Sequence, residues 1–260
     1  MIVASRNGNT NLSRQRDNKM KRASRTAETL DPNLIQENFS RVKDEVAEAC
    51  RRCGRDTDEV EILVASKYIS TDGMEKLAAA GITLVGENRA QDLAAKHLVY
   101  GDRFTWDFIG HLQSNKVRQV LPVARLIHSL DSLSTAAEID RRAEGPTDVL
   151  LEVNVGGEAG KYGIIPTEVD RFLEETLRYP KVNFTGLMTM PPLAADPEAV
   201  RPHFAALRRL SSELNQKWSG RHYFRCLSMG TSNDYLVAVE EGATIIRVGG
   251  LIFGQDDRKT

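Results

Sequence analysis

The chain has 260 residues, 41% of them hydrophobic and 27% charged, with 35 basic against 36 acidic side chains and a net charge of -1. This balance gives no footing for a nucleic-acid partner or a membrane-surface patch, and no apolar run approaches the roughly 20 residues that span a bilayer. Cys50, Cys53 and Cys226 are too few, and odd in number, for a disulfide framework, so a reducing cytoplasm is the expected compartment.

Residues 1–30 stand apart from the rest. Seven Lys or Arg face only Asp17 and Glu28, among Asn, Ser and Thr, and no secretory hydrophobic core is present. The stretch is expected to be a disordered tail, or an over-called start with Met20 as initiator. An organellar transit peptide shares its composition. The folded domain is expected over 31–260. There Leu34, Ile35, Phe39, Val42, Val46, Cys50 and Cys53 recur at spacings of three and four, predicting a helix that starts at Asp31-Pro32 and stops at Gly54. Cys50 and Cys53 lie on its apolar stripe with no second C-x-x-C, so they read as core residues rather than a metal or redox site.

Beyond this helix, apolar β-branched runs at 61–67, 83–87, 104–110, 124–130, 148–155, 182–190, 223–229 and 244–253 alternate with segments of helical periodicity. Near-continuous apolar runs mark parallel strands buried on both faces. The count predicts a single α/β domain, a (β/α)8 TIM barrel with an N-terminal helix preceding strand 1, although an open doubly wound sheet satisfies the same periodicity. Only Gln255–Thr260 follow the last strand, so the helix near 33–53 is expected to cover the gap there.

In a barrel the working groups sit at the carboxyl ends of the strands, and phosphate is often held after strands seven and eight. Strand 1 ends in Ser66-Lys67, strand 2 in Gly86-Glu87-Asn88 and strand 3 in Gly110-His111-Leu112-Gln113. Ser228, Gly230, Thr231 and Ser232 after strand seven, with Gly249 and Gly250 after the last, form a candidate anion cradle of hydroxyls and backbone N–H groups. Across from it, a partly desolvated Lys67 is a candidate amine nucleophile for a sugar-phosphate aldehyde or pyridoxal 5'-phosphate. A strand-terminal lysine reaching solvent is the simpler alternative. Arg247 interrupts the apolar run TIIRVGG, which calls for either a structural carboxylate or a cofactor ring nitrogen beside it. No metal-ligand set is present.

The conjunction of VASK (64–67), GEN (86–88), FIGHLQSNK (108–116), KYG (161–163), GLMTMP (186–191), LSMGTSND (227–234) and RVGGLIFG (247–254) resembles the YggS/PROSC family of pyridoxal phosphate homeostasis proteins. These are similar to the N-terminal barrel of alanine racemase. The resemblance covers about residues 33–255. It implies pyridoxal 5'-phosphate as cofactor, Lys67 as its Schiff-base lysine, and Ser228, Gly230, Ser232, Gly249 and Gly250 around the phosphate. It further implies Arg247 opposite the ring nitrogen, Asn88, His111 and Gln113 as pocket walls, and Lys161 near the mouth. Two departures are evident. Tyr68 stands where the family usually has threonine, and Gly250 where it usually has a hydroxyl residue, a loss worth roughly 0.5–1.5 kcal/mol of phosphate binding.

The expected function is pyridoxal phosphate homeostasis without robust catalysis, with recipient apo-enzymes as possible partners and a monomeric state. The related racemase takes its second base from a further β-rich domain, and none is expected with the chain ending at Thr260. An arginine opposite the ring nitrogen also weakens the ring as an electron sink. A pyridoxal-dependent amino-acid racemase and a Schiff-base aldolase are the alternatives.

Overall fold

In the computed structural model, which describes residues 25–158 and 160–254, the first helix α1 (Pro32–Cys53) begins where Asp31 accepts a 2.9 Å hydrogen bond from the Asn33 N–H. It ends at Gly54, whose left-handed φ of 71° is the conformation that only glycine adopts without strain. Ile35, Val42, Val46 and Cys50 are buried as the spacing requires, but Cys53 is not. Residues 51–54 are all exposed, and the Cys53 thiol donates back to the Ala49 carbonyl at 3.2 Å. The stripe therefore ends one turn earlier than its sequence pattern. Among the described residues no His, Cys, Asp and Glu group is arranged to hold a metal ion, and no helix is long and apolar enough to cross a membrane.

The eight apolar runs form β1 (Glu61–Ala65), β2 (Leu84–Glu87), β3 (Thr105–Phe108), β4 (Leu126–Leu130), β5 (Thr147–Glu152), β6 (Val182–Met188), β7 (Cys226–Thr231) and β8 (Ile245–Val248). Between them lie α2 (Met74–Ala79), α3 (Ala90–Tyr100), α4 (Val117–Val120), α5 (Leu133–Arg142), α6 (Val169–Thr176), α7 (Arg201–Lys217) and α8 (Tyr235–Glu240). All neighbouring strands are parallel, and β8 closes on β1 through the register Glu61↔Ile245 to Val64↔Val248. The open-sheet alternative is excluded. Leu63, Leu126, Leu150, Met188 and Ile245 pack inside the barrel, while the larger apolar core lies between strands and helices.

With no described helix after β8, α1 takes that seat. Its Arg52 pairs with Glu240 of α8 at 2.7 Å, Asn38 donates to the Ile252 carbonyl at 3.2 Å, and Arg55 donates to the Val239 carbonyl at 2.8 Å. Several strands are shorter than their apolar runs. The 61–67 run stops at Ala65 and the 244–253 run at Val248, because Ser66-Lys67 and Gly249–Gly254 turn across the barrel mouth.

The tail boundary also moves. Residues 25–30 are bound to the loop after β1: the Arg25 N–H donates to the Tyr68 carbonyl at 2.8 Å, the Ser70 N–H donates to the Arg25 carbonyl at 2.9 Å, and Leu30 is buried. Residues 1–24, including Met20, lie outside the described residues.

Candidate functional site

The carboxyl ends of β1, β2, β3, β6, β7 and β8 line a cavity of about 380 Å³ at the barrel mouth. Alternation places its floor: the inward register of Leu63, Asp107 and Ile245 continues two residues on to Ala65, Ile109 and Arg247, all of which line it. Lys67 lines it from the turn just past β1. The expected desolvation of this lysine is not seen. Its side chain is exposed, with Nζ 5.0 Å from the centroid of the Tyr68 ring.

The turn carrying Lys67 rests on a buried ionic cluster that the sequence did not reveal. Glu87 is fully buried and ion-paired with Lys96 of α3, itself only 3% exposed. Ser66 Oγ donates to Glu87 at 2.7 Å, and the Lys96 ammonium donates to the Ser66 carbonyl at 2.9 Å. Lys96 thus holds the backbone of the residue immediately before Lys67.

Opposite lies the candidate anion cradle. Ser232 Oγ accepts from the Gly249 N–H at 3.1 Å, tying the two loops together. The N–H groups of Ser232, Asn233 and Gly250 find no partner among the described residues, and all three residues line the cavity. Two expected members lie behind it. Ser228 is buried below the floor, and Gly230 (φ 91°) backs onto α8, where an added Cβ would meet that of Ala238 at 2.5 Å. Ser232–Asp234 are a turn before the six-residue α8, so the cradle is made by loop amides and not by a helix end. Thr231 lines the cavity but donates its hydroxyl to Asp234 at 3.2 Å.

Arg247 is buried with no carboxylate bonded to it among the described residues. Its guanidinium donates to the Ser228 carbonyl at 2.8 Å, to Ser228 Oγ, to the Thr189 carbonyl at 3.0 Å and to Met190 Sδ at 2.9 Å. Burial lowers its pKa to about 10 against the pull of Glu152 and Asp234, which leaves it a cation at neutral pH. A register irregularity between Ser228 and Thr231, where β7 meets β8, brings Ser228 under this guanidinium.

Ser228 passes the contact inward. His128 Nδ1 lies 2.8 Å from Ser228 Oγ, and His128 Nε2 lies 3.1 Å from Asp107 Oδ2. Burial pushes His128 down, outweighing the pull of Asp107, so the imidazole is neutral. Burial raises Asp107, but hydrogen bonds from His128 and Arg125 more than offset it and keep the carboxylate ionised. The protons are then assigned: Nε2–H donates to Asp107, and Ser228 donates to Nδ1 while accepting from Arg247.

Asn88 lines the cavity and holds a buried Oδ1 with no hydrogen-bond partner among the described residues. It is set there by the close approach of Gly110, where any Cβ would collide with the Asn88 carbonyl. His111, Gln113 and Lys161 do not join the lining. The His111 ring stacks on Tyr162 with centroids 3.9 Å apart, Gln113 is exposed, and Lys161 is spent on Glu158 at 2.6 Å. Met190, Leu193 and Phe253 form the apolar side, and Arg25 lines the cavity as well. Only the alternation of β1 and β3 could have pointed to any of the residues missed from sequence, namely Ala65 and Ile109.

The family model for the alanine racemase N-terminal domain matches residues 31–257. The pyridoxal phosphate homeostasis protein of Aquifex aeolicus (strain VF5) is 43% identical over 223 residues, spanning 84% of this chain and 97% of that protein. The chain belongs to the pyridoxal phosphate homeostasis protein family. Among solved structures, this family member resembles PipY of Synechococcus elongatus PCC7942 with PLP bound, at a TM-score of 0.73 and 30% identity over 85% of this chain and all of PipY. Alanine racemase from Corynebacterium glutamicum shares the fold, with a TM-score of 0.67 and 14% identity over 88% of this chain and 63% of that one.

One further group in this family member gives a pH signature. Glu152, buried at the end of β5, is pushed up to about 7 by burial and then by Asp131, against the pull of Arg247. A carboxyl whose pKa is higher folded than unfolded favours the folded state at low pH, and that advantage is lost as pH rises from the ordinary carboxylate range through about 7. Glu152→Gln is therefore expected to be more stable than wild type by about 1–3 kcal/mol at alkaline pH, with the gap closing as pH falls towards the ordinary carboxylate range. Urea midpoints across that range check it, and a gap independent of pH contradicts it.

Proposed function

We propose that this chain binds pyridoxal 5'-phosphate, holding its aldehyde through Lys67, and serves intracellular supply of that cofactor without robust turnover of its own. One observation carries the reading: the Lys67 amine, the uncommitted amides of Ser232, Asn233 and Gly250, and the Arg247 cation line the same cavity. The unpartnered Asn88 Oδ1 and the uncommitted N–H groups of Ser232, Asn233 and Gly250 fit a polar, anionic ligand. The name of the Aquifex relative and the PLP-bound PipY structure support the same reading.

When bound, the cofactor supplies an aldehyde and a ring that can accept electrons. Arg247 can only donate, and its neutral acceptors leave it cationic, so it favours an unprotonated ring nitrogen and disfavours carbanion chemistry. A racemase needs bases on both faces of the substrate carbon. The tyrosine adjacent to Lys67 is Tyr68, whose ring centroid lies 5.0 Å from Nζ, beside the same amine. Recipient apo-enzymes, a monomeric state and a cytoplasmic location complete the proposal, the cavity mouth being open to solvent at Lys67.

The purified protein is expected to be yellow with pyridoxal phosphate, to lose its long-wavelength band on borohydride reduction, and to show no racemase-like turnover of alanine. Protein that stays colourless with added pyridoxal phosphate refutes the binding proposal and revives the aldolase. Rapid alanine racemisation refutes the non-catalytic one.

A further inference from the structure

Arg25 precedes the region matched by the family model, residues 31–257, yet it lines the same cavity as Lys67, Ser232 and Gly250. Its backbone is fixed to the turn that carries Lys67: its N–H donates to the Tyr68 carbonyl at 2.8 Å, and its carbonyl accepts from the Ser70 N–H at 2.9 Å and the Ser70 hydroxyl at 2.7 Å. Two residues on, the Ala27 N–H donates to Asp72 at 3.0 Å. The seat is tight, since a Cβ on Gly73 would meet the Arg25 carbonyl at 2.9 Å. At its other end the guanidinium stands over the Phe253 ring, 5.1 Å from the centroid, and the Phe253 N–H donates to the Gly250 carbonyl at 3.2 Å. The cation is therefore held between the turn bearing the reactive amine and the turn where the expected phosphate-binding hydroxyl is missing.

We propose that Arg25 is an additional anion-binding residue of this cavity, one that reads the ligand's phosphate and takes the donor role that Gly250 cannot fill. A guanidinium suits this task, being always charged, forked towards paired oxygens, and at home over an aromatic face. The inference rests on the proposed binding of pyridoxal phosphate, and it adds a specificity: the N-terminal segment makes this site discriminate phosphorylated from unphosphorylated vitamers.

The test titrates wild type, Arg25→Gln and Arg25→Lys with pyridoxal phosphate and, separately, with pyridoxal, following the long-wavelength absorbance. A lost charge-assisted contact predicts that Arg25→Gln binds pyridoxal phosphate about 10- to 100-fold more weakly, with pyridoxal affinity unchanged. Arg25→Lys is expected to keep most of the preference, and added salt to shrink it in wild type and Arg25→Lys but not in Arg25→Gln. Equal weakening of both ligands by Arg25→Gln overturns the proposal, because the residue then only packs the segment. No change for either ligand overturns it as well. Wild type that binds neither ligand sinks the cofactor reading itself, a result distinct from a failure confined to Arg25.

Discussion

Lys67→Ala is expected to give a folded barrel that acquires no covalent chromophore from pyridoxal phosphate. The long-wavelength band should be absent at every ligand concentration, and borohydride should fix no label to the protein. The fold should hardly notice the change. Lys67 is exposed, sits in a turn beyond β1, and has no ion pair or hydrogen bond among the described residues that its loss would orphan. Surface changes of that kind stay within about 0.5 kcal/mol, so the urea midpoint serves as the control. The Ser232–Gly249–Gly250 cradle remains, and the variant should still take up the cofactor weakly and without covalent capture. A band of wild-type intensity in Lys67→Ala would move the reactive amine elsewhere and dissolve the assignment.

Lys96→Met is expected to cause the largest loss of stability. Removing the ammonium leaves Glu87 fully buried, with only the Ser66 hydroxyl at 2.7 Å and the Asn88 N–H at 3.2 Å among the described residues to compensate its charge. Breaking one side of a buried pair costs about 3–5 kcal/mol, a large share of the roughly 5–15 kcal/mol that stabilises a typical domain. The double variant Lys96→Met/Glu87→Gln removes the stranded charge and should recover more than half of the loss. The single variant also frees the Ser66 carbonyl, so its residual folded fraction should capture pyridoxal phosphate more slowly than wild type. Urea denaturation of wild type, both single variants and the double variant closes the cycle. Additive single effects would show that the two side chains do not act as a pair.

The architecture was legible because buried parallel strands announce themselves as unbroken apolar runs, and because Asp31-Pro32 and Gly54 bracket α1 chemically. Lys67, Asn88, Ser232, Arg247, Gly249 and Gly250 were legible as cavity residues since barrel topology assigns function to strand ends. What misled was the assumption that every polar residue in those stretches faces the mouth. Ser228 follows the inward register of β7, and the Arg247 guanidinium claims it from above, so its hydroxyl serves the barrel interior. His111 and Lys161 leave the mouth because Tyr162 and Glu158 offer nearer partners. Lys96 could not be singled out from the sequence, since periodicity does not say that a carboxylate waits beneath it. Arg25 carried no signal at all, lying in a basic, apolar-poor stretch whose order comes from tertiary contact with residues 68–72.

The amine comes from the turn after the first strand, the guanidinium from the last strand and the Gly250 amide from the turn after it, and those two strands are paired with each other. A growing polypeptide therefore owns only half of its binding apparatus until β8 has been synthesised and stitched onto β1. On the proposed function, vitamer capture would report that the circle has closed, and a ribosome-bound chain halted before residue 245 should leave the aldehyde untouched.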